Sequence, residues 1–548
     1  MPIGLEAASG RAASVGSLVV VRVPRRGRGK VVEILGPETS IDAVITGLLV
    51  HRGIRPVDGP STTAEREAAW ISAEPGAEGR VDLRKHASIT IDPDDARDFD
   101  DAIGVSRSAD GEVVAYVHIA DVSACVHSAT AVDARAEHRA FSAYVPGQVV
   151  PMLPEALSDD ACSLRPGQDR PAVTVELAFD GNGRVASSTF YRSLIRSRAR
   201  LTYTQAEEIL AGRERAEPDV AEVLRRAQSV AAQLRHRRFA RGALRLESPE
   251  LTFTLDGEGG VAGAALEHEP AAHALVEEFM VAANEAVGAF LAQPKAPALF
   301  RVHERPDPQA VLGLLSRLAA LEVPTPPRLE SLTPAQAADL AAVAAEAVAT
   351  YVRSTGRGGG AFPSIVLRSL QQARYDHANL GHSGLASAAY AHFTSPIRRY
   401  PDLVCHRSLL AELGLGDDPP PPDLDALAGR VSAREREIAA VEHAANDLCL
   451  AWLLDRRLFE LGWEHAFDGE VVGVINSGLF VRFDGIFEGY LPARRIPGDY
   501  YELDPIGVAL TGRRFGRTFR LGDSIQIAVS DIDRAEGKVS LALYTQNT

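Results

Sequence analysis

Long apolar stretches are missing from this 548-residue chain. It holds no run of about 18 uncharged apolar residues, so no segment reads as a membrane span. The opening MPIGLEAASG lacks a charged start followed by an apolar stretch, and so does not read as a secretion signal. Cysteine is scarce and scattered. Cys125, Cys162, Cys405 and Cys449 form no CxxC pair and no disulfide framework, which points to a reduced, cytoplasmic compartment. No internal repeat is found. An excess of positive charge is also absent. A net charge of −15 argues against a simple polyanion-binding protein. The local field at a groove counts for more than that sum, however. Arginine is clustered at Arg22, Arg25, Arg26 and Arg28 with Lys30, at Arg192, Arg196, Arg198 and Arg200, and at Arg235, Arg237, Arg238 and Arg241. One such cluster is an ordinary solvated face; several on an acidic chain suggest that one lines a phosphate track.

The length exceeds one hydrophobic core and predicts roughly two to four domains. Residues 1–80 carry short β-like runs, Leu18–Val23 and Lys30–Leu35, separated by basic, glycine-containing turns. They are similar to part of an oligonucleotide-binding barrel, and Ser61–Gly79 reads as a helix or linker. Residues 81–460 mix strands (Ile89–Ile91, Val113–Ile119) with helices. Among these are Ala335–Val352, capped by Thr333 and Pro334, and a long amphipathic helix over Leu424–Leu461 after the loop DDPPPP. Residues 461–548 change character. FDGEVVGVINSGLFVRF alternates apolar and polar positions around an Asn-Ser-Gly turn, and IQIAVSDIDRAEGKVSLAL reads as a closing hairpin. This is the pattern of a five-stranded barrel. The expected fold class is α+β, a central mixed module flanked by small barrel-type domains. Phe480, Phe483 and Phe487 interleave with Arg482, which suits base stacking, although a small barrel must also be filled from within.

The densest chemistry lies in IDPDDARDFDDA, where six carboxylates fall within the ten residues 92–101, directly after an apolar strand. Crowded carboxylates repel one another and call for neutralising cations. Hard divalent ions accept oxygen ligands and keep sites for water and phosphate oxygens, and a pair of them can catalyse phosphodiester displacement. An acidic surface loop is the plain alternative, but the embedded Ala96, Phe99, Ala102 and Ile103 argue for partial burial. A calcium loop is a second alternative. It would want glycine at the sixth position and glutamate at the twelfth, and neither is present. His118, His303, His392 and His406 lack ligand spacing and read as structural.

TIDPDDARDFDDAI resembles the signature of the ribonuclease II family, whose catalytic module is the RNB domain. Six further blocks match in order: HIADVSACV, AYVPGQVVPMLPEALSDDACSL, ARLTY, VEEFMVAAN, FRVHERPDP and HFTSPIRRYPDLVCHR. Together they span residues 81–460, and the terminal barrel resembles an S1 RNA-binding domain. The resemblance implies processive 3′→5′ hydrolysis of single-stranded RNA to nucleoside 5′-monophosphates, with Mg2+ as cofactor and a monomeric enzyme. It implies that Asp92, Asp98, Asp100 and Asp101 form the metal site, with Asp98 and Asp100 as direct ligands and Asp101 orienting water. It further implies that Tyr144 stacks on the 3′-terminal base and that Tyr203 and Glu278, rather than Glu277, sense that nucleotide and its ribose. Arg398 would touch the scissile phosphate, and Phe480 and Phe483 would bind RNA on the barrel. Aromatic rings give sequence-tolerant stacking, and a carboxylate can accept from the 2′-OH. Two departures from the family pattern bear on structured RNA. The N-terminal region is too short for a pair of cold-shock-like barrels, and no basic tail follows YTQNT. The competing reading is an RNB-fold RNA-binding regulator with little or no catalysis. The presence of all four aspartates favours the nuclease, and the Tyr203 and Glu278 matches disfavour a DNA exonuclease.

Overall fold

The computed structural model describes residues 5–6, 13–23, 29–55, 63–68, 78–107, 111–245, 249–256, 260–267, 270–293, 296–327, 330–416 and 418–544. Its centre is a seven-stranded sheet. In spatial order the strands are Ala199–Thr202, Ile89–Asp92, Asp101–Arg107, Val113–Ala120, Arg170–Phe179, Val185–Ile195 and Val81–Asp82. The inner pairings are antiparallel. The two edges are parallel, with Thr202 opposite Asp92 and Ser193 opposite Val81.

Alternation along the strands sends two sets of side chains to opposite faces. Ile89, Ile91, Ile103, Val117, Ile119, Val173 and Val175 pack against helices Pro218–Ala240 and Ala271–Leu291. Small residues on the other face, Ala102, Ala120 and Ala172, admit a second layer. It contains helices Ile41–His51, Ala131–Arg139, Tyr400–Glu412 and Leu424–Leu461. Helix Tyr400–Glu412 is buried from Tyr400 through Leu410. Within it, Arg407 donates to Asp133 at 2.8 Å and to the Val126 carbonyl at 2.9 Å, so its charge is not left unpaired.

On the N-terminal side, the described residues form a three-stranded sheet (Leu5–Glu6, Gly29–Pro37, Ser17–Arg22) with helices Ile41–His51 and Thr63–Ala68. No closed barrel occurs among them. Arg25, Arg26 and Arg28 of the first arginine cluster lie outside the described residues. No helix among the described residues is long and apolar enough to cross a membrane.

Helix Leu424–Leu461 leads into a closed five-stranded barrel. Its strands Phe467–Ile475, Gly478–Phe483, Phe487–Pro492, Ser524–Asp533 and Lys538–Leu543 pair in the order first, second, third, fifth, fourth. This is the oligonucleotide-binding barrel topology. Its register corrects one sequence expectation. Phe483 is 1% exposed and packs between Phe467 and Phe487 at ring distances of 5.1 and 5.7 Å. It fills the barrel and cannot meet RNA. Phe480, three residues earlier and on the opposite side of the strand, faces outward. Phe483→Ala should therefore destabilise the barrel by about 3–5 kcal/mol, the cost of an aromatic-sized core cavity. Hydrogen exchange across residues 467–543 checks this, and protection equal to wild type would contradict the core assignment.

Candidate active site

Three short segments build the acidic site. The β-branched run Ile89-Thr90-Ile91 forms a central strand, and Pro93 ends it because it offers no N–H to the ladder. The chain then loops out and returns at Asp101, which pairs opposite Ile119. Asp92 and Asp101 therefore close the ends of two adjacent strands, and Asp98 and Asp100 sit on the loop between them.

That loop is held on every side. The Ser163 hydroxyl donates to the Arg97 carbonyl at 2.7 Å and accepts the Phe99 N–H at 3.0 Å. Leu164 N–H donates to the Phe99 carbonyl at 3.0 Å, and Ala120 N–H donates to the Asp100 carbonyl at 2.8 Å. Arg200, on the edge strand beside Asp92, donates to the carbonyls of Pro93 and Asp94, and its cation lies 5.7 Å from the Phe99 ring. Ser163 and Arg200 were not singled out as site residues from sequence. For Ser163 the signal was its place inside a block that matches the family; for Arg200 it was that and its membership of the second arginine cluster.

Asp92 and Asp100 are buried; Asp98 and Asp101 are half-buried. Withdrawal from water pushes the Asp92 carboxyl up to about 8, with the Asp101 charge adding to the effect. The same withdrawal lifts Asp101 to about 6, against the opposing pull of Arg398 and Arg399. Burial also raises Asp98 and Asp100, and Arg398 works against it in both. Asp100 accepts the Ile397 N–H at 2.8 Å on Oδ1, and Arg398 Nε stands 3.4 Å from Oδ2. The segment Ser395–Arg398 thus closes over the loop. It is positioned by Asn284, whose side-chain amide oxygen Oδ1 accepts the Phe393 N–H at 2.8 Å. Close approach of helix Ala271–Leu291 requires Gly288, where a Cβ would lie 2.9 Å from backbone atoms of Tyr390 and Ala391.

Among the described residues, no three acidic, histidine or cysteine side chains already converge as a metal cage. The donor set nonetheless suits a hard divalent ion. It is all oxygen, it is crowded, and the buried Oδ2 atoms of Asp92 and Asp100 have no hydrogen-bond partner. The four histidines are otherwise occupied. His118 bonds Thr174 at 2.9 Å, His303 the Gln371 carbonyl at 2.7 Å, His392 the Tyr375 hydroxyl at 2.8 Å and His406 the Phe393 carbonyl at 2.8 Å.

Tyr144 reaches the cluster from the hairpin Ala143–Val150. Its hydroxyl donates to Asp98 Oδ2 at 3.1 Å, and its backbone N–H donates to Glu442 at 2.8 Å. Tyr203 sits one residue beyond Thr202, the partner of Asp92. Burial, with the charges of Asp101 and Asp92, raises its phenol well above its ordinary value. Its ring meets His273 edge-on at 5.2 Å.

Glu278 requires a correction. It is 2% exposed and is held by Arg238 Nη2 at 2.6 Å; two turns on, Glu285 pairs with Arg241. That stripe fastens the helix to Pro218–Ala240. Glu277, one turn after His273, reaches the same guanidinium, with its carboxylate 3.2 Å from Arg238 Nη2. Its side chain stays 36% exposed. The other arginine clusters are also largely committed. Arg192 pairs with Asp121, Arg196 with Asp169 and Arg238 with Glu278.

On the barrel, Phe480 and Tyr490 meet at 5.2 Å and line a groove with Arg482, Ser477, Lys538, His443 and Asn446. The first two lie on the second and third strands, the face on which such barrels bind oligonucleotides. His443 adjoins Glu442, which holds Tyr144, so one helix borders both the groove and the acidic site.

The family model described as RNB domain matches residues 80–414. Ribonuclease R of Escherichia coli (strain K12) is 36% identical over 566 residues, which cover 97% of this chain and 66% of that protein. Ribonuclease R of Aquifex aeolicus (strain VF5) is 34% identical, with 94% and 72% covered. The chain thus spans about two thirds of the length of the first of these relatives. Among solved structures, Mycoplasma genitalium RNase R in complex with ribose methylated single-stranded RNA superposes with a TM-score of 0.87. That match has 27% identity and covers 99% of this chain and 85% of that one. With its central sheet, acidic loop and terminal barrel matched along nearly the whole length, this chain belongs to the RNB-domain family of the ribonuclease R type.

Proposed function

We propose that this protein is a hydrolytic 3′→5′ exoribonuclease that degrades single-stranded RNA processively to nucleoside 5′-monophosphates with Mg2+. In this reading residues 81–460 form the catalytic module, and residues 1–80 and 461–548 flank it as RNA-binding elements. The enzyme is a cytoplasmic monomer. The observation that carries the proposal is the group of four raised carboxylates, two with buried unpartnered oxygens, beside Arg398 and Tyr144 in a member of this family.

Asp92, Asp98, Asp100 and Asp101 would hold magnesium, which supplies charge neutralisation at the phosphate and a more acidic water. The remaining roles belong to the chain's own groups. Arg398 is 45% exposed and is tethered by Asp100 and by a 3.1 Å bond to Ser395. Its planar fork keeps N–H groups for the scissile phosphate, whose charge grows in the transition state. The Tyr144 ring offers a stacking platform for the terminal base, and its bond to Asp98 ties that platform to the reacting centre. Tyr203 flanks the position of the terminal ribose, and Glu277, which shares Arg238 with Glu278 but keeps an exposed carboxylate, accepts from the 2′-OH and so selects RNA. Phe480, Tyr490 and Arg482 receive the strand farther out. The intact aspartate set favours a nuclease over an RNA-binding regulator that has lost catalysis.

Asp100→Asn should reduce hydrolysis at least a hundredfold and leave affinity for a 30-nucleotide RNA within about threefold, since binding contacts are spread along a groove. Turnover within tenfold of wild type would remove Asp100 from the metal site. The products should be nucleoside 5′-monophosphates and a short resistant oligomer, formed with Mg2+ and without inorganic phosphate. Nucleoside diphosphates formed only when phosphate is present would mean phosphorolysis. Tyr144→Ala should lengthen the resistant oligomer more than it slows single-turnover chemistry, because stacking is worth about 1–3 kcal/mol per base. An unchanged end product on a denaturing gel would exclude Tyr144 as the platform.

A further inference from the structure

The barrel carries a second surface outside its groove. Between its third and fourth strands the chain inserts a small sheet of Tyr501–Leu503, Ala509–Gly512 and Thr518–Arg520. Oligonucleotides ordinarily meet such barrels on strands two and three and on the loops joining strands one to two and four to five. The inserted sheet is none of these.

Its composition opposes that of the whole molecule. In a chain of net charge −15, residues 501–520 carry four arginines, Arg513, Arg514, Arg517 and Arg520, against two acidic residues, Glu502 and Asp504. Arg513 pairs with Glu502, and Arg520 stands 3.4 Å from Glu322. Arg514 and Arg517 make no ion pair within 4 Å among the described residues, although the Asp499 carboxylate feels the Arg514 charge. Instead they lie over rings, Arg514 at 5.0 Å from the Phe515 centroid and Arg517 at 4.7 Å from that of Phe519. Two large rings stand in water beside them, Tyr500 at 85% exposure and Phe515 at 68%. Two adjacent exposed rings beside solvated guanidinium groups make a contiguous patch of the kind that marks an interaction site.

The turn that presents them is fixed. The Asp499 carboxylate accepts the backbone N–H groups of Tyr500, Arg514 and Phe515 at 2.7–2.9 Å. The sheet is further anchored to the catalytic module. Arg317 donates to the Ile506 carbonyl at 3.3 Å, and Arg357 donates to Asp523 at 3.0 Å.

We propose that Tyr500, Arg514, Phe515 and Arg517 form an auxiliary docking surface for single-stranded RNA, separate from the groove of Phe480 and Tyr490. The inference rests on the RNA-degrading function proposed above. Free guanidinium groups match phosphates, and the adjacent rings match unpaired bases, which have a π-face whatever their sequence. The surface would engage only RNA long enough to extend beyond the groove, and would keep such RNA captured while its 3′ end is consumed.

The test measures binding by the full chain with chelator present, so that hydrolysis cannot interfere. The probes are a 30-nucleotide and a five-nucleotide single-stranded RNA at several salt concentrations. Arg514→Glu/Arg517→Glu should weaken 30-mer binding at least tenfold and leave the five-mer within twofold. Arg514→Ala/Arg517→Ala should make the slope of log affinity against log salt shallower by about 1.4, two contacts at about 0.7 each for single strands. Phe515→Ala should weaken the 30-mer about fivefold or more with the slope unchanged. The turn's bonds to Asp499 come from backbone N–H groups and survive these replacements; thermal unfolding of each variant checks the fold. Affinity and slope equal to wild type for the 30-mer would overturn the proposal. So would loss confined to phosphatidylserine vesicles with RNA binding unchanged. Failure of the wild type to bind any RNA would instead strike the function proposed above.

Discussion

Crowding of carboxylates at the end of a sheet is the constraint on which this molecule turns. Asp92, Asp98, Asp100 and Asp101 are drawn together and partly withdrawn from water, and both changes work against their charged forms. Left to itself such a loop would swing into solvent. It is prevented from doing so by contacts on its backbone from Ser163, Leu164, Ala120 and the Arg200 guanidinium, and by a second positive segment, Ile397–Arg398, closing on it. Because most of these contacts fall on backbone carbonyl and N–H groups, Asp92 Oδ2 keeps no hydrogen-bond partner and Asp100 Oδ2 meets only the Arg398 guanidinium at 3.4 Å. A rigid arrangement with unsatisfied buried anions is what a divalent ion and a phosphate need to find ready-made.

The rest of the architecture serves that loop at increasing distance. The seven-stranded sheet sets Asp92 and Asp101 side by side. Helix Ala271–Leu291 presses on the sheet and, through Asn284 and Gly288, positions the segment that carries Arg398. Helix Leu424–Leu461 reaches farthest. Its residues Leu427 through Cys449 belong to the catalytic core, while Leu454 and Leu458 belong to the barrel core. One continuous helix of 38 residues therefore ties the barrel to the module, and on the way its Glu442 fixes Tyr144. Sharing a single helix couples the barrel groove mechanically to the acidic site.

Arginine is used in two ways. Where it is buried, as at Arg407, Arg238 and Arg80, it neutralises Asp133, Glu278 and Asp121 and fastens helices or strands together. Where it remains solvent-facing without an ion pair, as at Arg514 and Arg517, it keeps its field for a ligand. The acidic net charge conceals this division, since paired arginines cancel in the sum while unpaired ones act locally.

Much was legible in the sequence because it was local. The β-branched run before Pro93, the Thr333–Pro334 cap, the helix from Leu424 and the alternation of the terminal barrel each write their structure in neighbouring residues, as does the acidic loop itself. Orientation across elements was not legible. Nothing in VEEF states that both glutamates meet Arg238; only the packing of two helices buried Glu278 against it and left Glu277 part-exposed on the same guanidinium. Phe480 and Phe483 both suit stacking by composition, yet barrel closure turned Phe483 inward, because alternate residues must fill the interior. Ser163 and Arg200 took on their roles through contacts 66 and 106 residues away along the chain. Periodicity fixes which residues share a face, and residue type limits what that face can do. Which face meets which partner depends on distant chain segments, and that was settled only by the tertiary structure.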